Sequence, residues 1–225
     1  MQDVTRIPRM LSAVQDVWEG QPDLSLGALI GMLENFGVTW GAEDEEALRI
    51  CRGIARRHPG RVPLRQGKAD GLFRIVIAES RTQVFLDGEK VLVVPGEGTP
   101  SMWDYRAIRN AQVGYPLVIE DAFGIAHRLG VIERIEPRRT PKRPHEEQPV
   151  FYEGADYKAW SLSGRVTAWE VGRRQAKATT LRRNDCDWDA EGRLRGFTAG
   201  GTRVPLGDDI RVFACGLEPG PDARE

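Results

Sequence analysis

Cysteine and histidine are scarce in this chain of 225 residues, with three of each. Cys51, Cys186 and Cys215 lie far apart and form no C-x-x-C pair, which excludes a disulfide framework and a cysteine zinc site and leaves reduced thiols. His58, His127 and His145 fall in no H-E-x-x-H or similar ligand spacing, and His58 and His145 stand beside prolines. No metal and no cofactor is expected from these residues. A phosphate-binding G-x-x-x-x-G-K-[ST] loop is missing, and "VPGEGTP" lacks the strand-to-helix setting of a dinucleotide site. There is no G-x-S-x-G elbow to present a catalytic serine. No run of about eighteen apolar residues could cross a membrane as a helix. The first twenty residues place charges where a signal peptide needs an apolar core, so a soluble cytoplasmic protein is expected. A formal net charge of -1 gives no long-range attraction to nucleic acid or anionic lipid, and any such binding must rest on a local patch.

What is present has the balance of a globular protein: 40% hydrophobic and 29% charged residues, in a length that suits one large domain or two to three small ones. Abundant Arg, Ala, Gly and Asp suit a GC-rich bacterial or phage genome.

Residues 1–60 read as helical. Ile7, Met10, Leu11, Val14, Val17 and Trp18 recur at helical spacing, which places all six on one face that must pack on something. After a "GQPD" break, Ser25 can cap a second helix carrying Leu26, Leu29, Ile30 and Leu33 and ending near Gly37. A third runs from the acidic "EDEE" of 43–46 through Leu48, Cys51 and Ile54 to the basic "ARRH", the charge order that a helix dipole favours. A three-helix bundle is the expectation.

The segment also carries R-I-P-R at Arg6 to Arg9, then Trp18, Pro22–Asp23, L-G-x-L-I at Leu26 to Ile30, and E-D-E at Glu43 to Glu45. In these residues, over about a quarter of the chain, it resembles a short helical module of small uncharacterised bacterial proteins. The resemblance implies no activity. A DNA-reading helix-turn-helix is disfavoured, because "NFGVTWGAEDEE" is acidic where a DNA contact would be basic.

Over residues 61–136 short Val, Ile and Leu runs alternate with Gly, Pro and Asp-Gly, the signature of strands and turns. "FLDGEKVLVV" predicts a tight hairpin, with Asp87-Gly88 supplying positive φ angles, and "VIEDAFGIAHRLGVI" a second one with a longer loop around Asp121 to Gly124. Residues 137–149 carry the proline-rich, basic "RRTPKR" linker, 150–216 form a second strand-rich segment, and 217–225 are a tail. The fold class is therefore α+β: an N-terminal three-helix bundle and then two mainly antiparallel β segments, each a small barrel or sandwich.

"NDCDWDAEGR", residues 184–193, alternates aspartates like a calcium loop, but the sixth and twelfth loop positions hold Ala190 and Gly196 where glycine and glutamate are needed. It reads instead as the acidic turn of a hairpin flanked by the strands "ATTLRR" and "RLRGFT". Cys186, between Asp185 and Asp187, would be a poor thiolate. His127, in a strand near a turn, reads as a surface or hydrogen-bonded residue.

Two binding surfaces are left. Arg173, Arg174, Lys177, Arg182, Arg183, Arg193, Arg195 and Arg203, interleaved with Trp169, Trp188 and Phe197, could hold single-stranded nucleic acid on a β-barrel. Nearly equal acidic charge in the same segment argues for ordinary solvent-facing residues. Trp40, Trp103 and Trp188 occupy loop-like contexts and could anchor a protein partner. The expected function is a non-enzymatic binding or regulatory protein engaging a protein partner. The alternatives are a nucleic-acid-binding β-barrel and an enzyme whose site lies between the two β segments.

Overall fold

A computed structural model describes residues 4–138, 150–153, 157–162, 165–171, 176–182, 186–188, 194–197, 203–205 and 211–214. Over the described residues the protein is α+β, with three helices and a closed six-stranded barrel. It divides into two compact units, Met1–Arg81 with Tyr105–Arg138, and Thr82–Asp104 with Arg139–Glu225.

The helices are α1 (Arg6–Glu19), α2 (Leu26–Asn35) and α3 (Asp44–Arg57). As expected, Ser25 caps α2, its hydroxyl accepting from the Ala28 N–H at 3.3 Å, and the chain leaves past Gly37 at φ +105°. Asp44, Glu45 and Glu46 open α3, and Arg56 and Arg57 close it. Arg6 meets Asp44 at 2.6 Å and Arg9 meets Glu45 at 2.9 Å, so α1 and α3 start together and run the same way. Ala13 and Val17 of α1, Leu29 and Leu33 of α2, and Leu48, Cys51 and Ile54 of α3 form one buried cluster.

A small ribbon, β1 (Leu64–Arg65) and β2 (Lys68–Ala69), turns at Gln66 and Gly67 with φ of +52° and +80°, a pair of left-handed residues suited to a two-residue hairpin. The barrel then closes in chain order through β3 (Leu72–Ile77), β4 (Gln83–Leu86), β5 (Lys90–Val94), β6 (Ser101–Asn110), β7 (Pro116–Asp121) and β8 (Ala126–Arg138). The apolar "LFRIVI" and "VFL" are buried at almost every position, whereas the mixed β8 is largely exposed with Ile132 and Ile135 buried. Gly130, at φ +101°, lies so close to β3 that a Cβ there would be 2.5 Å from Ile77 Cγ2. The β3–β8 register shifts beside that contact, between Val76 and Ile77.

Both expected hairpins form, but the first turns differently. Leu86 pairs with Val91 and no residue from Asp87 to Lys90 has positive φ. Instead Asp87 Oδ1 accepts from the Glu89 and Lys90 N–H groups, each at 2.8 Å, so a carboxylate closes the turn in place of left-handed backbone. The second hairpin has the expected loop, with Gly124 at φ +85°.

The remaining strands are β9 (Val150–Glu153), β10 (Tyr157–Leu162), β11 (Arg165–Val171), β12 (Ala176–Arg182), β13 (Cys186–Trp188), β14 (Leu194–Phe197), β15 (Arg203–Pro205) and β16 (Arg211–Ala214). They make a five-stranded sheet in the order β12-β11-β10-β9-β16 and a three-stranded sheet β13-β14-β15, each pairing antiparallel. A Cβ on Gly196 would be 2.3 Å from Leu181 Cδ1, so the two sheets touch where glycine leaves room. This corrects the reading of "NDCDWD" as a turn between "ATTLRR" and "RLRGFT". β12 pairs with β11, while Cys186–Trp188 is itself a strand on β14, with Cys186 opposite Gly196. Aspartate reads as a turn-former, but its alternation with Cys and Trp has the strand period, and pairing decides. Pro137 and Arg138 belong to β8; the rest of the expected linker, 139–149, and the tail 217–225 lie outside the described residues.

Candidate functional site

Seen down its axis, α1 has three stripes. Met10, Ala13 and Val17 face the core; Ile7, Leu11 and Trp18 form a second apolar stripe; Ser12, Asp16 and Glu19 form a polar one. Sequence periodicity merges the first two into one packing face, and the structure separates them. Ile7 is 56% exposed and Leu11 64%, while Leu26 and Ile30 of α2 are 54% and 50% exposed. Trp18 donates its indole N–H to the Leu24 carbonyl at 2.8 Å, which joins the end of α1 to the approach of α2 and leaves the ring partly uncovered. The core is too narrow for the apolar arcs these helices carry. Gly27 and Gly31, one turn apart on α2, have no atom within 4 Å of a Cβ position.

The polar stripe of α1 forms one wall of a groove of about 880 Å³. Arg52 and Arg56 of α3 form the facing wall, and Val62, Phe73 and Pro137 supply apolar floor. Gly60, which follows α3, also lines the groove, and its Cβ position lies 2.8 Å from Glu19 Cβ of α1. Within it, Gln15 donates to Glu19 at 2.7 Å and Arg61 approaches Glu19 at 3.9 Å. Among the described residues, Arg52, Arg56 and Asp16 form no ion pair.

A second polar constellation lies at the β7–β8 hairpin. Asp121 Oδ1 accepts from the Phe123 and Ile125 N–H groups, both at 2.9 Å, and Oδ2 lies 2.9 Å from His127 Nε2. The hydrogen bond with His127, helped by those two backbone donors, holds the Asp121 carboxyl below its ordinary range. Next to it the buried Glu120 is held by Arg106 at 3.1 Å and by Arg109 Nε at 2.7 Å. Both carboxylates are thus committed to shaping the hairpin, and His127 is hydrogen-bonded as its sequence context indicated. No group of three or more His, Cys, Asp or Glu side chains converges as a metal site would among the described residues. Among the described residues no helix is long and apolar enough to cross a membrane.

The sequence-derived anchors separate. Trp40, in the α2–α3 turn, is fully exposed, and Arg57 of α3 stacks over the ring of Phe36 at 5.3 Å. Trp103 is not in a loop: it lies in β6 opposite Val91 and is half-buried, because "SMWDYRAIRN" is one ten-residue strand. Trp188 lies in β13, its side chain outside the described residues. Of the basic set, Arg182 is exposed on β12, opposite the exposed Arg165 of β11. Lys177 and Arg195 lie in β12 and β14 and Arg203 in β15, their side chains outside the described residues; Arg173, Arg174, Arg183 and Arg193 are also outside them. Trp169 is buried and offers no stacking face.

Sequence reasoning gave Arg52 and Arg56 no binding role, and it placed Ile7 and Leu11 on a face that must pack and Leu26 and Ile30 on one side of α2, without separating their buried from their exposed members. A signal existed for the apolar residues, since α2 has no charge before Glu34 and a helix packed on one side rarely needs so much apolar surface. The fold and surfaces define an α+β barrel protein with a helical module that leaves an apolar face and an amphipathic groove open. No protein-family profile matches the sequence, and no curated protein is significantly similar to it.

Proposed function

We propose that this is a non-enzymatic, cytoplasmic binding or regulatory component of a bacterial or phage system. In this reading the three N-terminal helices act as a bundle that engages a protein partner. The observation that carries it is the exposure of large apolar side chains on both helices, Ile7, Leu11 and Trp18 of α1 and Leu26 and Ile30 of α2. Large apolar side chains left uncovered in such number favour association. The fully exposed Trp40 supplies an aromatic anchor of the kind that dominates interface energetics. The test is co-purification from the native host with wild type and with a Leu11→Asp/Ile30→Asp variant. A partner held by wild type and lost from a variant of equal thermal stability supports the reading; equal retention by both removes it.

A second reading, nucleic-acid binding, is favoured by the facing pair Arg165 and Arg182, like charges directly opposite across two strands. Such a pair is unfavourable unless an anion lies between the two cations. Binding to single-stranded DNA or RNA that weakens steeply with salt, and more weakly still in Arg182→Glu, would support it. Salt-insensitive or absent binding would exclude it.

A further inference from the structure

The groove between α1 and α3 is distinct from the apolar face, and its chemistry is more specific. Arg52 and Arg56 are one helical turn apart on α3, where side chains stand side by side. Their neighbours are engaged, Arg49 with Glu46 at 3.3 Å and Arg61 with Glu19 at 3.9 Å, while these two form no ion pair among the described residues. Two adjacent guanidinium groups repel each other, and a carboxylate between them would relieve that repulsion with paired, directional hydrogen bonds.

The other surfaces of the groove limit what can bring that carboxylate. Val62, Phe73 and Pro137 ask for apolar side chains. Ser12 and Gln15 on the α1 wall can exchange hydrogen bonds with an extended backbone. Three arginines against Asp16 and Glu19 leave the lining with an excess of one positive charge, so a polyanion such as RNA would meet both acids, whereas a segment with a single acidic group would not.

We propose that this groove holds an acidic peptide segment of the protein partner, with a carboxylate between Arg52 and Arg56 and apolar side chains on Val62, Phe73 and Pro137. The proposal rests on the partner-binding reading and names the part of the partner that the groove recognises.

The test uses the full chain, labelled with nitrogen-15, titrated with an acetylated, amidated Leu-Pro-Glu-Leu-Pro peptide, which carries one carboxylate, and with its Leu-Pro-Lys-Leu-Pro counterpart. The acidic peptide should shift amide signals along residues 12–19 and 52–63 to saturation, and the basic one should not. Arg52→Glu/Arg56→Glu, at exposed positions that leave the fold intact, should weaken binding at least tenfold, and Arg52→Lys/Arg56→Lys should fall between. No groove shifts, equal shifts with the basic peptide, or unchanged affinity in the charge-reversed variant would each overturn the proposal. Leu11→Asp/Ile30→Asp should keep peptide binding. If the peptide fails to bind while wild type still captures a partner that this variant loses, the groove assignment falls alone. If no partner is captured either, the partner reading falls with it.

Discussion

A Cβ on Gly20 would stand 1.9 Å from the carbonyl oxygen of His58, so the ends of α1 and α3 touch through backbone that no larger residue could share. Gly60 repeats the contact from the other side, its Cβ position 2.8 Å from Glu19 Cβ. Gly20→Ala and Gly60→Ala should each destabilise the protein by about 1–3 kcal/mol, the usual cost of forcing atoms into a packed site. Gly27→Ala and Gly31→Ala meet open space and should stabilise α2 by up to about 1 kcal/mol. Urea unfolding of the four variants checks the order, and a Gly20→Ala protein as stable as wild type would show that α1 and α3 do not meet this way.

Gly130 poses the same problem in the barrel, with the added strain of positive φ. Gly130→Ala should cost about 1–3 kcal/mol through overpacking against Ile77, and Ile77→Val should recover part of it. Thermal unfolding of the single and double variants measures the coupling.

Cys51 is fully buried in the helical cluster, and burial pushes its thiol above the ordinary value despite a backbone hydrogen bond that works the other way. It should resist a disulfide reagent at neutral pH in the folded protein and react at once when the chain unfolds. Rapid modification of Cys51 under native conditions would contradict its place in the core.

Acid should weaken the hairpin and the β3–β8 seam. His127 holds the Asp121 carboxyl low. Burial pushes Glu136 up, but hydrogen bonds and charge from Arg134 and Arg74 outweigh it and leave its carboxyl below the ordinary value. For both groups the stabilising contribution is complete above the unfolded pKa of about 4 and is lost as pH falls through the lower folded value. Asp121→Asn should therefore be less stable than wild type at pH 6, with the gap closing below pH of about 4. A gap that stays constant with pH would remove the ionised Asp121 from the account.

Strand and helix segments were legible because local period and turn chemistry agree with the fold. Ser25, Gly37 and the charge order of α3 each act where the sequence places them. Tertiary choices were less so. Whether Leu11 is core or surface depends on how wide a face the neighbouring helices cover, which periodicity does not encode. Trp103 looked like a loop residue because its context is rich in glycine or aspartate, yet pairing with β5 carries β6 through it. The groove joins α1, α3, β3 and β8, so no local motif could announce it.

The central claim is that the exposed apolar side chains of α1 and α2 are covered by another protein. Its most direct measurement replaces Leu11 with photoreactive benzoylphenylalanine in the native host, with the same replacement at the exposed Arg134 of β8 as control. Irradiation should give a discrete adduct from position 11 that is missing from position 134. No adduct at position 11, or the same adducts from both positions, would contradict the account.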